Sequence, residues 1–149
     1  MRETVCLLGS PAHEGLPMDT LAAEYGSSFK HARNLDQLCE VGIENNIVAV
    51  LIDSDSLGIS TKRALESVLD VLPKVLPIVC HKASETIHWS ELVDAGAFHA
   101  LLLPLCASEV RQSLGFVWEA QQRRRTRVLV LPSRPVASSR RTQAAGILA

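Results

Sequence analysis

Runs of continuous apolar residues constrain the fold of this chain more than any other feature of its sequence. The clearest run covers residues 47–52, and further runs cover 4–8, 75–80 and 100–103. A strand with one face in water alternates apolar and polar residues, whereas a strand that is apolar throughout is covered on both faces. The runs therefore predict a sheet that lies between two layers of helices. A brief additional strand is predicted at residues 28–31.

Segments with apolar residues at helical spacing separate these runs. Asn34 is a suitable N-cap for one segment, and Pro73 and Gly96 end two others. The five predicted helices cover residues 17–25, 34–45, 61–72, 87–95 and 108–125. Five strand–helix repeats with short connections predict an α/β fold, in which a doubly wound five-stranded parallel sheet forms the middle of a three-layer sandwich.

The loops after the predicted strands are the candidate site, because ligands of such sheets bind at the carboxyl ends of the strands. Two aspartates, Asp53 and Asp55, follow the run at 47–52. We expect Asp53 to cap backbone amides and Asp55 to be a turn residue. Because Lys82 ends the strand expected beside that run, it is a candidate neutralising partner for Asp53. The other loops contribute Gly9, Ser10, Leu103 and Pro104.

Charge divides the chain into two parts. The formal net charge is −1, but residues 1–120 hold all 16 acidic residues, whereas residues 121–149 hold seven arginines and no acid. We predict a folded domain at residues 1–126 and a basic Pro/Ser/Arg-containing tail or linker at 127–149, with a short β-like run at 127–131. Nucleic-acid binding by the tail is not predicted because no stacking aromatic residues accompany the arginines.

Several classes of protein are excluded by what the sequence lacks. No apolar stretch is long enough to span a membrane and no signal segment is present, so a cytoplasmic protein is expected. The four cysteines and five histidines show no metal-ligand spacing, and the cysteines are predicted to be reduced core or near-core thiols. Phosphate-binding glycine motifs and a nucleophile elbow are also missing, so an enzyme is not expected.

Two consecutive segments near the end of the predicted domain carry a resemblance to a known family. The sequence AGAFHALLLP, residues 95–104, leads into LCASEVRQSLGFVWEA, residues 105–120. Together with an aspartate that closes the third strand, these segments resemble a response-regulator receiver domain across residues 1–126. The resemblance implies a flavodoxin-like, CheY-like fold.

The resemblance also implies a set of functional positions. A receiver has an acidic pair after the first strand, a phosphoacceptor aspartate after the third, a hydroxyl residue after the fourth and a lysine before a proline after the fifth. A magnesium ion held by the carboxylates offsets the charge of the phosphoryl group. In this chain Gly9 and Ser10 take the positions of the acidic pair, and Asp53 takes that of the phosphoacceptor. Lys82 or His81 stands at the hydroxyl position, and Leu103 stands at the lysine position before Pro104. The aromatic position of the fifth strand is occupied by Ala100.

These differences predict a degenerate acidic pocket of the pseudo-receiver kind. Asp53 is retained as the phosphoacceptor candidate, and Pro104, whose preceding peptide is often cis in the family, also matches. Gly9 and Ser10 supply no carboxylate, so a magnesium ion has only Asp53 and Asp55 as candidate ligands. No cofactor is therefore expected.

The interpretation that follows is a regulatory module of signal transduction that acts through protein contacts. Its expected partners are a sensor histidine kinase or an output domain, and a homodimer through the fourth predicted helix, the fifth strand and the fifth predicted helix. Trp89 and Trp118 are the interface candidates, because tryptophan is enriched in interface anchors. Two alternatives remain: a phosphorelay receiver that accepts phosphate on Asp53 with magnesium, and a flavodoxin-like domain that binds a small ligand.

Overall fold

The computed structural model describes residues 2–10, 16–84 and 86–130, with the side chains of 127–130 left out. Within these residues the chain forms one five-stranded sheet in the order β2-β1-β3-β4-β5, and every strand pair is parallel. The predicted doubly wound α/β fold is confirmed. The strands are β1 (Glu3–Leu8), β2 (Ser28–Ala32), β3 (Asn46–Ile52), β4 (Leu76–Lys82) and β5 (His99–Leu103).

Helices connect all consecutive strands. Asn34 accepts a hydrogen bond from the Gln37 backbone N–H at 2.9 Å, which confirms it as the predicted N-cap. Ser60 caps the helix Thr61–Val71 in the same way, because its side chain accepts from the N–H of Arg63. The helices are α1 (Met18–Ala23), α2 (Leu35–Glu44), α3 (Ser54–Leu57), α4 (Thr61–Val71), α5 (Trp89–Asp94) and α6 (Ala107–Val130).

The two faces of the sheet are covered by different helices. Helix α2 contacts the sheet and α4, and α4 contacts α5, so these three helices form one layer. Helix α1 and the part of α6 up to Val117 share the opposite layer, where Arg111 pairs with Glu24 just after α1 at 2.9 Å. Residues along β1 alternate between the layers: Cys6 and Leu8 belong to the core under α2 and α4, and Val5 and Leu7 are buried on the other side.

Two local predictions differ from the structure. Helix α3 is a single turn of four residues, too short to show a helical period in the sequence. Residues 127–130, predicted as part of a β-like run, continue α6, and Leu131 lies outside the described residues. Extending an existing helix adds one hydrogen bond per residue without a new nucleation cost, so helix formation overrides the strand propensity of the valines.

The chain divides into two units, Met1–Val117 and Trp118–Ala149. The first contains the sheet and α1–α5, together with the first part of α6. Of the second unit the structure describes the helical residues up to Val130. The predicted division at residues 126 and 127 remains a prediction. Among the described residues, no helix combines the length and the apolar character that a membrane crossing requires.

Replacement of Leu51 tests the central position of β3. Leu51 is fully buried, so we expect Leu51→Ala to lower the free energy of unfolding by about 2–5 kcal/mol through lost burial and a new cavity. Leu102→Ala is the matched control, because this leucine of the edge strand β5 is 44% exposed and should cost about 1 kcal/mol or less. Urea unfolding measures both, and equal costs would contradict the assignment of β3 to the core.

Candidate functional site

A cleft of about 470 Å³ lies at the carboxyl ends of the strands. It forms at the edge where the strand order reverses between β1 and β3, which is the usual ligand position in this topology. The structure brings nearly all predicted pocket residues to this cleft, and it adds Ser56, which the sequence analysis missed. The lining residues are Ser10, Asp53, Asp55, Ser56, Lys82, Leu103 and Pro104.

Asp53 occupies the first position after β3 and is only 5% exposed. Its backbone N–H donates to the Leu8 carbonyl at 3.0 Å, so the backbone at Asp53 is bonded to the end of β1. The carboxylate makes no capping hydrogen bond to α3, and its buried Oδ1 has no hydrogen-bond partner. The prediction that Asp53 caps nearby backbone amides is therefore not met at the α3 turn. A buried carboxylate oxygen without a donor attracts positively charged or hydrogen-bonding groups.

Gly9 lies in close contact with the turn after β3. Its φ of +103° lies in the left-handed region, and a Cβ atom there would stand 2.5 Å from Ser56 Oγ and 2.8 Å from the Asp53 carbonyl oxygen. Ser56 Oγ accepts from the Ser10 N–H at 2.9 Å and donates to the Asp53 carbonyl at 3.0 Å. A serine hydroxyl thus joins the two loops, and no side chain fits at position 9 without movement.

Lys82 enters the cleft from the last residue of β4 and forms an ion pair with Asp55. Its Nζ lies 2.7 Å from Asp55 Oδ2, and both side chains are more than half exposed. The prediction placed this lysine beside Asp53, but the ion pair observed is with the second aspartate. Asp55 lies in the α3 turn, an element that the sequence analysis did not predict. Because the pair is exposed, it contributes about 1 kcal/mol or less to stability.

Among the described residues, the cleft offers a divalent metal ion one uncompensated carboxylate, that of Asp53. Gly9 and Ser10 supply no carboxylate, and the Asp55 carboxylate is bound by Lys82. The described residues contain no group of three or more His, Cys, Asp or Glu side chains that could hold a metal. Magnesium requires near-ideal octahedral oxygen coordination, which is usually completed by waters around one or two available carboxylates. Of the two candidate ligands, Asp53 and Asp55, the second has its charge already compensated.

The two buried thiols, Cys6 on β1 and Cys80 on β4, have raised pKa values. Burial raises the pKa of Cys80 to about 12, and the negative charge of Asp53 contributes to the same shift. Burial likewise raises the pKa of Cys6 to about 12. Both therefore remain protonated thiols at neutral pH. Cys39 and Cys106 are exposed, so the prediction of core or near-core thiols holds for only two of the four cysteines.

A second feature is an apolar surface beside the edge strand β5, which we call the α5–β5–α6 face. It consists of Trp89 and Val93 on α5, Leu102 on β5 and Phe116 on α6, all exposed large hydrophobic residues. Trp89 and Val93 lie one helical turn apart, and the Phe116 ring packs edge-on against His99 with centroids 5.3 Å apart. The other interface candidate, Trp118, is 44% exposed and belongs to the second unit.

Comparison with solved structures identifies the fold. The receiver domain of AraT from Geobacillus stearothermophilus covers 84% of this chain and 99% of its own, at TM-score 0.65 and 14% identity. The signal receiver domain of an HD domain-containing protein from Pseudomonas fluorescens covers 85% and 93%, at TM-score 0.65 and 16% identity. NtrX from Brucella abortus matches 92% of this chain with 31% of its own length, at TM-score 0.67 and 12% identity.

These likenesses confirm the predicted resemblance at the level of the fold: the chain has the receiver fold of response regulators. The peptide between Leu103 and Pro104 is cis, as the resemblance implied. No protein-family model matches the sequence, and no curated protein matches it.

Replacement of Gly9 tests the close approach at the cleft. We expect Gly9→Ala to lower the free energy of unfolding by at least about 2 kcal/mol, because a methyl group there meets both Ser56 and the Asp53 carbonyl. Gly26→Ala is the matched control: its φ is also positive, at +77°, but nothing lies within 4 Å of the added carbon. The control should cost about 1 kcal/mol from backbone strain alone. Equal costs in urea unfolding would show that the cleft has room at position 9.

Proposed function

We propose that this chain is a regulatory module of a response regulator, in which a degenerate acidic pocket has replaced phosphorylation and signalling proceeds through protein contacts. The observation that carries the proposal is that the residues around Asp53 differ from those that the resemblance to a receiver implies. Gly9 and Ser10 stand where the resemblance implies an acidic pair, Ser56 Oγ lies close beside Gly9, and the Lys82 ammonium is paired with Asp55. In this proposal the module is cytoplasmic, binds no cofactor and is not an enzyme.

Electrostatics around Asp53 oppose a stable phosphoryl group. Phosphorylation adds up to about two negative charges. Those charges would enter a cleft that already contains the Asp55 carboxylate, and one Asp53 oxygen is buried without a donor. Leu103, at the position where the resemblance implies a lysine, offers only an apolar wall. Phosphoryl transfer depends mainly on positioned positive charge. Among the described residues that line this cleft, the one cation is Lys82, which is already paired with Asp55.

Each of the two alternative functions is supported by a specific observation. A phosphorelay receiver is supported by Asp53, which stands at the end of β3 in the cleft with Lys82 among its neighbours. In that case Asp53 accepts the phosphoryl group and Asp55 helps to hold magnesium. Binding of a small ligand is supported by the cleft volume of about 470 Å³, which falls within the range of ligand pockets.

The α5–β5–α6 face is our candidate for the protein contact. It presents Trp89, Val93, Leu102 and Phe116 to solvent beside the open edge of β5. Clustered exposed apolar side chains favour a protein interface, and tryptophan is a frequent anchor. We propose that this face forms a homodimer, with a sensor histidine kinase or an output domain as the further partner. The match to about a third of NtrX is consistent with a module that belongs to longer proteins.

A phosphodonor experiment separates the proposal from the phosphorelay alternative. Incubation with magnesium and acetyl phosphate should leave the intact mass of the protein unchanged, and beryllofluoride should leave its tryptophan fluorescence unchanged. Asp53→Asn is the control for chemistry at the candidate phosphoacceptor. A mass increase in the natural chain that Asp53→Asn abolishes would contradict the proposal and support the phosphorelay alternative.

Self-association tests the proposed interface. We expect the chain to dimerise in sedimentation velocity and Trp89→Ala to weaken the dimer by about thirtyfold, because truncation of an interface anchor typically costs about 2 kcal/mol. Ile43→Ala is the matched control: Ile43 is 76% exposed but lies on α2, away from this face. A monomeric natural chain, or equal effects of the two substitutions, would count against a homodimer at the α5–β5–α6 face.

A further inference from the structure

We propose that Lys82 is a tethered internal cation that excludes divalent metal ions from the carboxylates of the cleft. Removal of its charge should therefore convert Asp53 and Asp55 into a weak divalent-cation site. This inference rests on the proposed function, because it explains how the cleft works without a metal, but it makes a separate claim about one lysine.

First, the Asp53 carboxylate is buried where a nearby positive charge would stabilise it. Its side chain is more than nine-tenths buried, lines the cleft and has an oxygen without a hydrogen-bond partner. A carboxylate in such surroundings has lost hydration that protein donors have not replaced at that oxygen. A nearby cation stabilises it through the field, even without direct contact.

The second step is the position of the Lys82 ammonium. It contacts Asp55 at 2.7 Å and lines the same cleft as Asp53. Lys82 therefore holds a positive charge at Asp55 Oδ2, in the same cleft that Asp53 lines.

The third step concerns which ligands a metal could still use. A carboxylate side chain at position 9 would meet Ser56 Oγ and the Asp53 carbonyl, so a third acid there requires the turn after β3 to move. Asp53 and Asp55 remain, with the hydroxyls of Ser10 and Ser56 as neutral neighbours in the cleft. Hard divalent ions accept two carboxylates and complete their coordination with water. Lys82 thus competes for the same two charged groups.

Manganese titration tests this competition. Free Mn²⁺ is followed by electron paramagnetic resonance, with Mn²⁺ alone as the probe, in the natural chain, Lys82→Met, Lys82→Arg and the double variant Lys82→Met with Asp55→Asn. Removal of one positive charge a few ångströms from a divalent ion should raise its affinity at least about tenfold in Lys82→Met. Lys82→Arg keeps the charge and should bind like the natural chain, and the double variant should lose the gain.

The outcomes separate this inference from the proposed function. Equal Mn²⁺ affinity in the natural chain and Lys82→Met would overturn the inference, as would a gain in Lys82→Arg equal to that in Lys82→Met. A gain that persists in the double variant would also overturn it, because Asp55 would then not be a ligand. The proposed function fails on a different result, phosphorylation of the natural chain at Asp53. Circular dichroism on each variant confirms that the fold is retained.

Discussion

Strand β3 lies in the middle of the sheet between β1 and β4, and six of its seven residues are buried. A strand covered on both faces cannot shift its register without exposing apolar side chains or leaving backbone groups unpaired. Its end is therefore fixed, and the next residue, Asp53, is held there by the hydrogen bond from its N–H to the Leu8 carbonyl. The position of the candidate site follows from the burial of this strand.

The contacts around Asp53 are built from within the chain. Ser56 joins the loops after β1 and β3, and Lys82 joins the end of β4 to the α3 turn through Asp55. A bound metal could connect the same loops through coordination, but here a hydroxyl and an ammonium make the connections. These internal bonds are the contacts on which we base the proposal of a regulatory module with a degenerate acidic pocket.

Sequence reasoning located the cleft because the carboxyl ends of parallel strands meet at one edge of the sheet. Continuous apolar runs gave the strand ends, and Ser10, Asp53, Lys82 and Pro104 followed from them. The partner of Lys82 was not predictable, because it depends on α3, a single turn without a periodic signal. Ser56 was missed for the same reason. The sequence signal for Ser56 was a hydroxyl residue three positions after Asp53. From that position the Ser56 hydroxyl donates a hydrogen bond to the Asp53 carbonyl.

The cleft and the α5–β5–α6 face meet at β5, where Leu103 lines the cleft and Leu102 belongs to the apolar face. Adjacent residues of a strand point to opposite sides, so one short edge strand contributes to both surfaces. In a phosphorelay receiver, a change at the cleft would have to reach the face through this strand. In this chain Leu103 brings no charge to the cleft. A change of charge in the cleft therefore has no ionic contact with β5 at this position. Under the proposed function, the apolar face is exposed in the fold itself, and regulation comes from the partner that covers it.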